Sequence, residues 1–270
     1  MSSKIVAHTI VKNESRWIWY VLQSVLPYVD EIIVGNHGST DNTLEIIKSI
    51  SSPKINILDF SHIPDDRYSE VRTGMMTQTR TDWLLILDGD EIWPKSAIQN
   101  TVDIIHKNPN LDFIVQPMYN LVGDIYHYQP ESAGKYNICG YKGHITIRAI
   151  NINKLGGLKF HGAHMQQGMF DPQGVLIQDR KNAIYRVQPI KYFHVTHLRR
   201  SNQDSLVQKR SKKYKYEWGI PFPRDFNYPE VFYLPHPILV SDIWEDRSLL
   251  YNLNALWQTP LREIHRRLTW

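Results

Sequence analysis

Three carboxylates arrive within four positions in Asp88-Gly89-Asp90-Glu91, directly after the apolar run Trp83-Leu84-Leu85-Ile86-Leu87. Five consecutive apolar residues read as a strand buried on both faces, and such a strand ending abruptly in charge sets its carboxylates at the rim of a core. Acidic groups this close repel one another, and a divalent cation with oxygen ligands is one way to hold them together. Gly89 leaves the backbone free to bend, so that Asp88 and Asp90 can turn toward one point. A solvated acidic turn is the competing reading of this stretch taken alone.

Other polar groups gather where apolar runs stop. Lys12-Asn13-Glu14-Ser15 follows the apolar residues 4–11, and the turn-rich run Asn36-His37-Gly38-Ser39-Thr40-Asp41-Asn42-Thr43 follows residues 31–35. Two histidines, His194 and His197, lie close together before a dense basic run: Arg199, Arg200, Lys209, Arg210, Lys212, Lys213 and Lys215. A helix is expected over residues 202–218 to carry most of these charges. It is either a solvated face or a contact for an anionic acceptor or membrane surface.

The elements that position these groups follow from periodicity. Strands are expected at 4–11, 31–35, 55–58 and 83–87. The helices between them include one with the stripe Trp17, Tyr20, Val21, Ser24, Val25 and Tyr28, one with Leu44, Ile46 and Ile47, and one over 69–79. Such alternation implies a mostly parallel sheet flanked by helices, with ligands at the carboxyl ends of the strands. After a helix beyond Pro94, short strand-like pieces at 113–117, 121–128, 144–150, 175–177 and 190–195 suggest a β-richer half. A Pro-rich link from Pro221 to Pro237 and a helical region over 241–268 follow.

Composition narrows the class. The chain of 270 residues is 42% hydrophobic and 21% charged, which places it among folded proteins with room for one large domain and an extension. A net charge of +4 does not call for nucleic acid. The single cysteine, Cys139, suits a reducing compartment, and no run of about 18 apolar residues occurs. The reading is therefore cytoplasmic, with peripheral membrane contact through the basic C-terminal region left open. The 15 Tyr and 8 Trp suit stacking on sugars or bases as well as ordinary packing.

Four segments in order resemble glycosyltransferase family 2, the inverting transferases of GT-A fold: Ile10-Val11-Lys12-Asn13-Glu14; Gly38-Ser39-Thr40-Asp41-Asn42-Thr43; Ser69-Glu70-Val71-Arg72; and residues 82–91. The likeness is greatest to the small bacterial enzymes with a Lys-Asn-Glu motif that act in lipopolysaccharide or polysaccharide synthesis. It is clear over 4–95 and patchy to about 215. It implies a Rossmann-like, mostly parallel sheet in residues 1–198, with a nucleotide-sugar half at 1–110 and an acceptor half at 111–198. A basic, mainly helical extension would occupy 199–270.

The resemblance also implies a nucleoside-diphosphate sugar as donor, Mn²⁺ or Mg²⁺ as the ion, and a glycan or glycolipid hydroxyl as acceptor. By the same likeness Asp90 is the direct metal ligand, Asp88 faces ribose or metal, and His194 or His197 adds a further ligand, His194 being favoured. Arg72 lies near the diphosphate or braces the acids. Val11, Lys12, Glu14, Asn36, His37 and Gly89 are assigned to the wall around the donor. Two departures stand out. Asn36 replaces the usual Asp, and His161-Gly162-Ala163-His164 lacks the acid of the usual His-Glu pair. That leaves Asp171, His161, His164 and Glu91 as candidates for the base that deprotonates the acceptor. A binding protein with a degenerate transferase fold is the alternative. A phosphohydrolase of haloacid dehalogenase type is disfavoured, because its Asp-x-Asp belongs on the first strand rather than about the fourth.

Overall fold

The computed structural model describes residues 3–162 and 168–269. Its first half alternates strands β1 (Ile5–Val11), β2 (Glu31–Asn36), β3 (Ile55–Asp59) and β4 (Trp83–Ile86) with helices α1 (Ile18–Val25), α2 (Thr43–Ser49) and α3 (Tyr68–Gln78). The second half supplies β5 (Glu91–Ile92), β6 (Phe113–Asn120), β7 (Ile145–Asn151), β8 (Tyr185–Val187) and β9 (Tyr192–His194), with helices α4 (Lys95–Lys107) and α5 (Ile152–Leu155). A long helix, α6 (Leu249–Thr269), packs on the outside. The nine strands form one sheet in the order β3-β2-β1-β4-β7-β6-β9-β5, with β8 also paired to β6. The first four are parallel, and β7 runs antiparallel to both β4 and β6.

Alternation along each central strand explains why both faces must be covered. Ile5, Ala7 and Val11 of β1 enter one core with Trp83, Leu85 and Leu87, while Val6 and Ile10 enter the other with Leu84 and Ile86. Helices α1 and α4 pack over the first core and α3 over the second. In the parallel register Val11 lies beside Asn36 and Asn36 beside Asp59, so the polar runs that follow these strands share one edge.

Several expected elements take another form. Residues 202–218 contain no α-helix, only the 3-10 turns Asp204–Leu206 and Ser211–Lys213. This stretch has no apolar stripe to hold a helix against the body, and its one arginine, Arg210, is instead drawn into buried contacts with Glu14 and Asp204. The piece at 175–177 contributes only an isolated bridge at Leu176 before the turn Ile177–Asp179. The piece at 121–128 is reduced to His127–Tyr128, paired with Ile220–Pro221. The Pro-rich stretch is not a loose link. Phe222 and Phe226 pack their rings 4.2 Å apart, and Phe222 lies 5.0 Å from Tyr119 of β6, which fastens the C-terminal region to the sheet.

His8 in the middle of β1 is fully buried. Thr79 Oγ1 donates to the Met75 carbonyl, so His8 Nε2 donates to Thr79 Oγ1 at 2.8 Å and Nδ1 is left without a partner. Burial, aided by nearby Arg72, lowers the His8 pKa from 6.5 to about 3. The unfolded chain therefore binds a proton between these values that the native state refuses, and stability falls as pH drops below 6.5. His8 should contribute a slope of about 1.4 kcal/mol per pH unit in that window. Urea unfolding of wild type and His8→Gln between neutral pH and about pH 4.5 checks this: the variant should show a shallower dependence by that amount, and an unchanged slope refutes it.

Candidate active site

The carboxyl edge of the parallel strands gathers four acids and five bases. Glu14 follows β1; Asp88, Asp90 and Glu91 follow β4; Arg72 comes from α3, Arg148 from β7, and Arg200, Arg210 and Lys213 from the segment after β9. Asp88 accepts from Arg72 Nη2 at 2.8 Å and lies 3.1 Å from Arg148 Nη2. Burial opposes its ionisation, but Arg148 and Arg72 outweigh it and hold its pKa at about 2. Asp90 pairs with Arg200 and stands 3.4 Å from His194 Nε2. Burial works against its charge too, and Arg200 with His194 keeps it well below the usual carboxylate value. Glu14 receives Arg200 Nε at 2.8 Å and Arg210 Nη2 at 2.6 Å. Arginines thus neutralise these carboxylates within the chain itself. Among the described residues, no cluster of three or more His, Cys, Asp or Glu is arranged to hold a metal ion.

The remaining sequence candidates divide. Gly89 does not need left-handed backbone; a Cβ there would lie 3.0 Å from Glu14 Cγ, so glycine is required for close approach rather than for a bend. Val11 is buried beneath the edge. Lys12 Nζ meets Asp65 at 2.5 Å, and His37 donates from Nε2 to the Ile63 carbonyl at 2.7 Å. Asn36 accepts from the Ser39 N–H at 3.0 Å and donates to Asp59 at 3.2 Å, so the carboxylate absent at 36 is present at the end of the next strand. Lys12, Glu14, His37, Asp65, Tyr68, Arg200 and Arg210 line a narrow cleft over this edge.

Of the base candidates, two are committed elsewhere. Glu91 is fully buried, accepts from Tyr192 Oη at 2.8 Å and pairs with Arg148; burial raises its pKa to about 8. It braces β9 and β7 against the tip of β4. Asp171 caps its own turn, accepting from the N–H groups of Gln173 and Val175 and pairing with Arg180 at 3.1 Å. His161 is exposed, with its ring against Phe170, and His164 lies outside the described residues.

The two late histidines are separated by their surroundings. His197 is buried and donates from Nδ1 to the Lys213 carbonyl at 2.7 Å. His194 faces Asp90 and is aimed by a relay that sequence reasoning missed. The Pro130 carbonyl accepts from His144 Nε2 at 3.0 Å, so His144 Nδ1 accepts from Asn120 Nδ2 at 2.7 Å. Asn120 Oδ1 in turn accepts from His194 Nδ1 at 2.8 Å. Burial lowers the His144 pKa and keeps that ring neutral. The relay fixes a proton on His194 Nδ1 and points Nε2 at Asp90, and with an ion between them Nε2 would be the ligating nitrogen. Arg148 was missed as well; a lone arginine inside the apolar run Ile145-Thr146-Ile147-Arg148-Ala149-Ile150 is a legible sign of a buried acidic partner.

A cleft at the carboxyl edge of a parallel sheet, floored by acids and roofed by arginines, lies where open α/β sheets place their ligands. Residues 7–193 match the model of Glycosyl transferase family 2, and the chain belongs to that family. A glycosyltransferase of Rickettsia bellii is 27% identical over 140 residues, which are 52% of this chain and 45% of that protein. One of Rickettsia felis is 27% identical over 137 residues, 50% of this chain and 46% of that protein. The matched stretch thus spans about half the length of these relatives. The crystal structure of S. aureus TarS superposes with a TM-score of 0.50 at 14% identity, covering 72% of this chain and 60% of that one. Its complex with UDP-GlcNAc gives the same score over 70% and 58%. The fold is GT-A.

Arg200 joins Glu14 to Asp90 in a buried network, and removing it leaves Glu14 with Arg210 alone and Asp90 with His194 alone. Arg200→Ala should lower the free energy of unfolding by about 3–5 kcal/mol in urea titrations. A loss below about 1 kcal/mol would mean that the network is solvated.

Proposed function

We propose that this chain moves a sugar from a nucleoside-diphosphate donor to a hydroxyl of a glycan or glycolipid acceptor, with inversion at the sugar. The observation that carries the reading is the cationic surplus of the cleft. Lys12, Arg200, Arg210 and Lys213 line it against only two carboxylates, Glu14 and Asp65, and burial pushes the Glu14 carboxyl up toward its neutral form. That balance accommodates a diphosphate. Arg200, Arg210 and Lys213, all from the segment after β9, are placed to draw the phosphates onto the strand edge, where guanidinium forks grip oxyanions. Asp59 and the Asn36 amide offer hydrogen bonds to base or ribose, and Asp88, partly exposed, is held between Arg72 and Arg148.

Asp90 and His194 form a mixed oxygen and nitrogen pair, with Nε2 as the ligating nitrogen, which fits Mn²⁺ or Mg²⁺ completed by donor oxygens and water. Such an ion, when bound, supplies Lewis-acid neutralisation of the departing diphosphate. Arg200 would exchange part of its hold on Asp90 for the diphosphate. Among the described base candidates His161 keeps an exposed side chain, and we assign it to acceptor deprotonation. The binding-only reading draws on one observation: Arg200 already saturates Asp90.

Release of nucleoside diphosphate from a panel of nucleotide sugars separates the two. Wild type should hydrolyse one donor slowly without acceptor, and Asp90→Asn should lose about a hundredfold in kcat/KM, the scale of one lost electrostatic contact in a transition state. Donor-dependent thermal stabilisation without any turnover would identify a binding protein.

A further inference from the structure

Helix α6 is mounted with its polarity reversed. Its inward side is polar. Arg266 forks onto Glu217 at 2.7 and 2.8 Å, Thr259 Oγ1 accepts from the Trp218 N–H at 2.8 Å, and Tyr251 Oη donates to the Lys215 carbonyl at 2.7 Å. Leu249, Leu253, Leu256, Trp257, Leu261 and Ile264 are each more than half exposed. At 100° per residue they fall within an arc of about 140°, opposite the docked side. A soluble helix normally buries such a stripe. This one holds it out, and the hydrogen bonds of the polar side fix that orientation.

The charge around the stripe identifies what covers it. A groove beside it is lined by Lys135, Lys215, Arg262 and His265 together with Trp257 and Leu261, and Arg267 in the last turn is exposed. Glu263 is the single acidic residue of the helix. Apolar side chains that dip into acyl chains, bordered by cations at headgroup level, are the pattern of a helix lying in the plane of an anionic bilayer. A second copy fits less well, because a two-fold contact would set the same cations against each other. The helix is also too polar to cross a bilayer, and no described helix is long and apolar enough to do so.

We propose that α6 docks this protein on the surface of an anionic phospholipid bilayer, with its leucine stripe in the acyl region and Lys135, Lys215 and Arg267 on the phosphates. The surface is separate from the donor cleft, and its test does not depend on turnover.

The experiment is vesicle co-sedimentation of the full chain with POPC alone and with about three parts POPC to one part POPG. Wild type should bind the anionic vesicles at least tenfold more tightly than the neutral ones. Leu253→Glu/Leu256→Glu should reduce that binding at least tenfold, and Lys135→Glu/Arg267→Glu should abolish the preference for POPG. Both pairs are exposed, so their melting temperatures and donor-induced stabilisation should match wild type. Equal binding to both vesicles, or binding to neither, overturns the proposal. So does a concentration-dependent dimer in sedimentation velocity that the leucine substitutions dissolve, which would assign the stripe to a second copy.

Discussion

The bridge from Glu14 through Arg200 to Asp90 is the contact on which the rest of the site depends. It ties the ends of β1 and β4 to a segment almost two hundred residues later, and Arg210 extends it to the backbone carbonyls of Lys12 and Asn13. Each of these acids and bases is buried. None would be tolerable alone, since an unpaired buried charge costs several kcal/mol. The network thus ties the tip of β4 to the C-terminal segment.

A second network steadies the other side of the tip. Glu91, Arg148 and Tyr192 link β5, β7 and β9, and the Tyr192 ring stacks on Trp93 at 5.1 Å with an interplanar angle of 6°. Asp88 and Asp90 stand between these two clusters, one held by Arg72 and Arg148, the other by Arg200. Asp90, although buried, and Asp88, partly exposed, both keep lowered pKa values because guanidinium groups supply the opposite charge beside them. On the proposed reading, incoming phosphates would meet cations already held in place by these pairs.

The relay from Pro130 through His144 and Asn120 to His194 has the same character. A backbone carbonyl can only accept, and that single fact fixes every donor and acceptor down the line. The strand β6 supplies Asn120 at its last position, next to His194 in the parallel register with β9. Sheet pairing, rather than any local preference, sets the orientation of the imidazole.

Much of the first half was legible in the sequence. The periodic runs gave the order of β1 to β4 and α1 to α3 because each element there buries its own apolar pattern. The Asp88-Gly89-Asp90 tip, Lys12 to Glu14 and Asn36-His37 fell on one edge because parallel strands put all their carboxyl ends together. What could not be read was which charge meets which. Arg200 and Glu14 are separated by 186 positions, and Arg148 and Glu91 by 57. Nothing local distinguishes an arginine that will enter a buried pair from one that stays in water. For the same reason residues 202–218 looked helical and are not, since the buried pairs of Arg210 with Glu14 and Asp204 hold the stretch in another form. The amphipathic spacing of α6 was present in the sequence too, but the pattern alone cannot say which face turns inward. Only the docked structure, in which Glu217 captures Arg266, decided that the leucines face out.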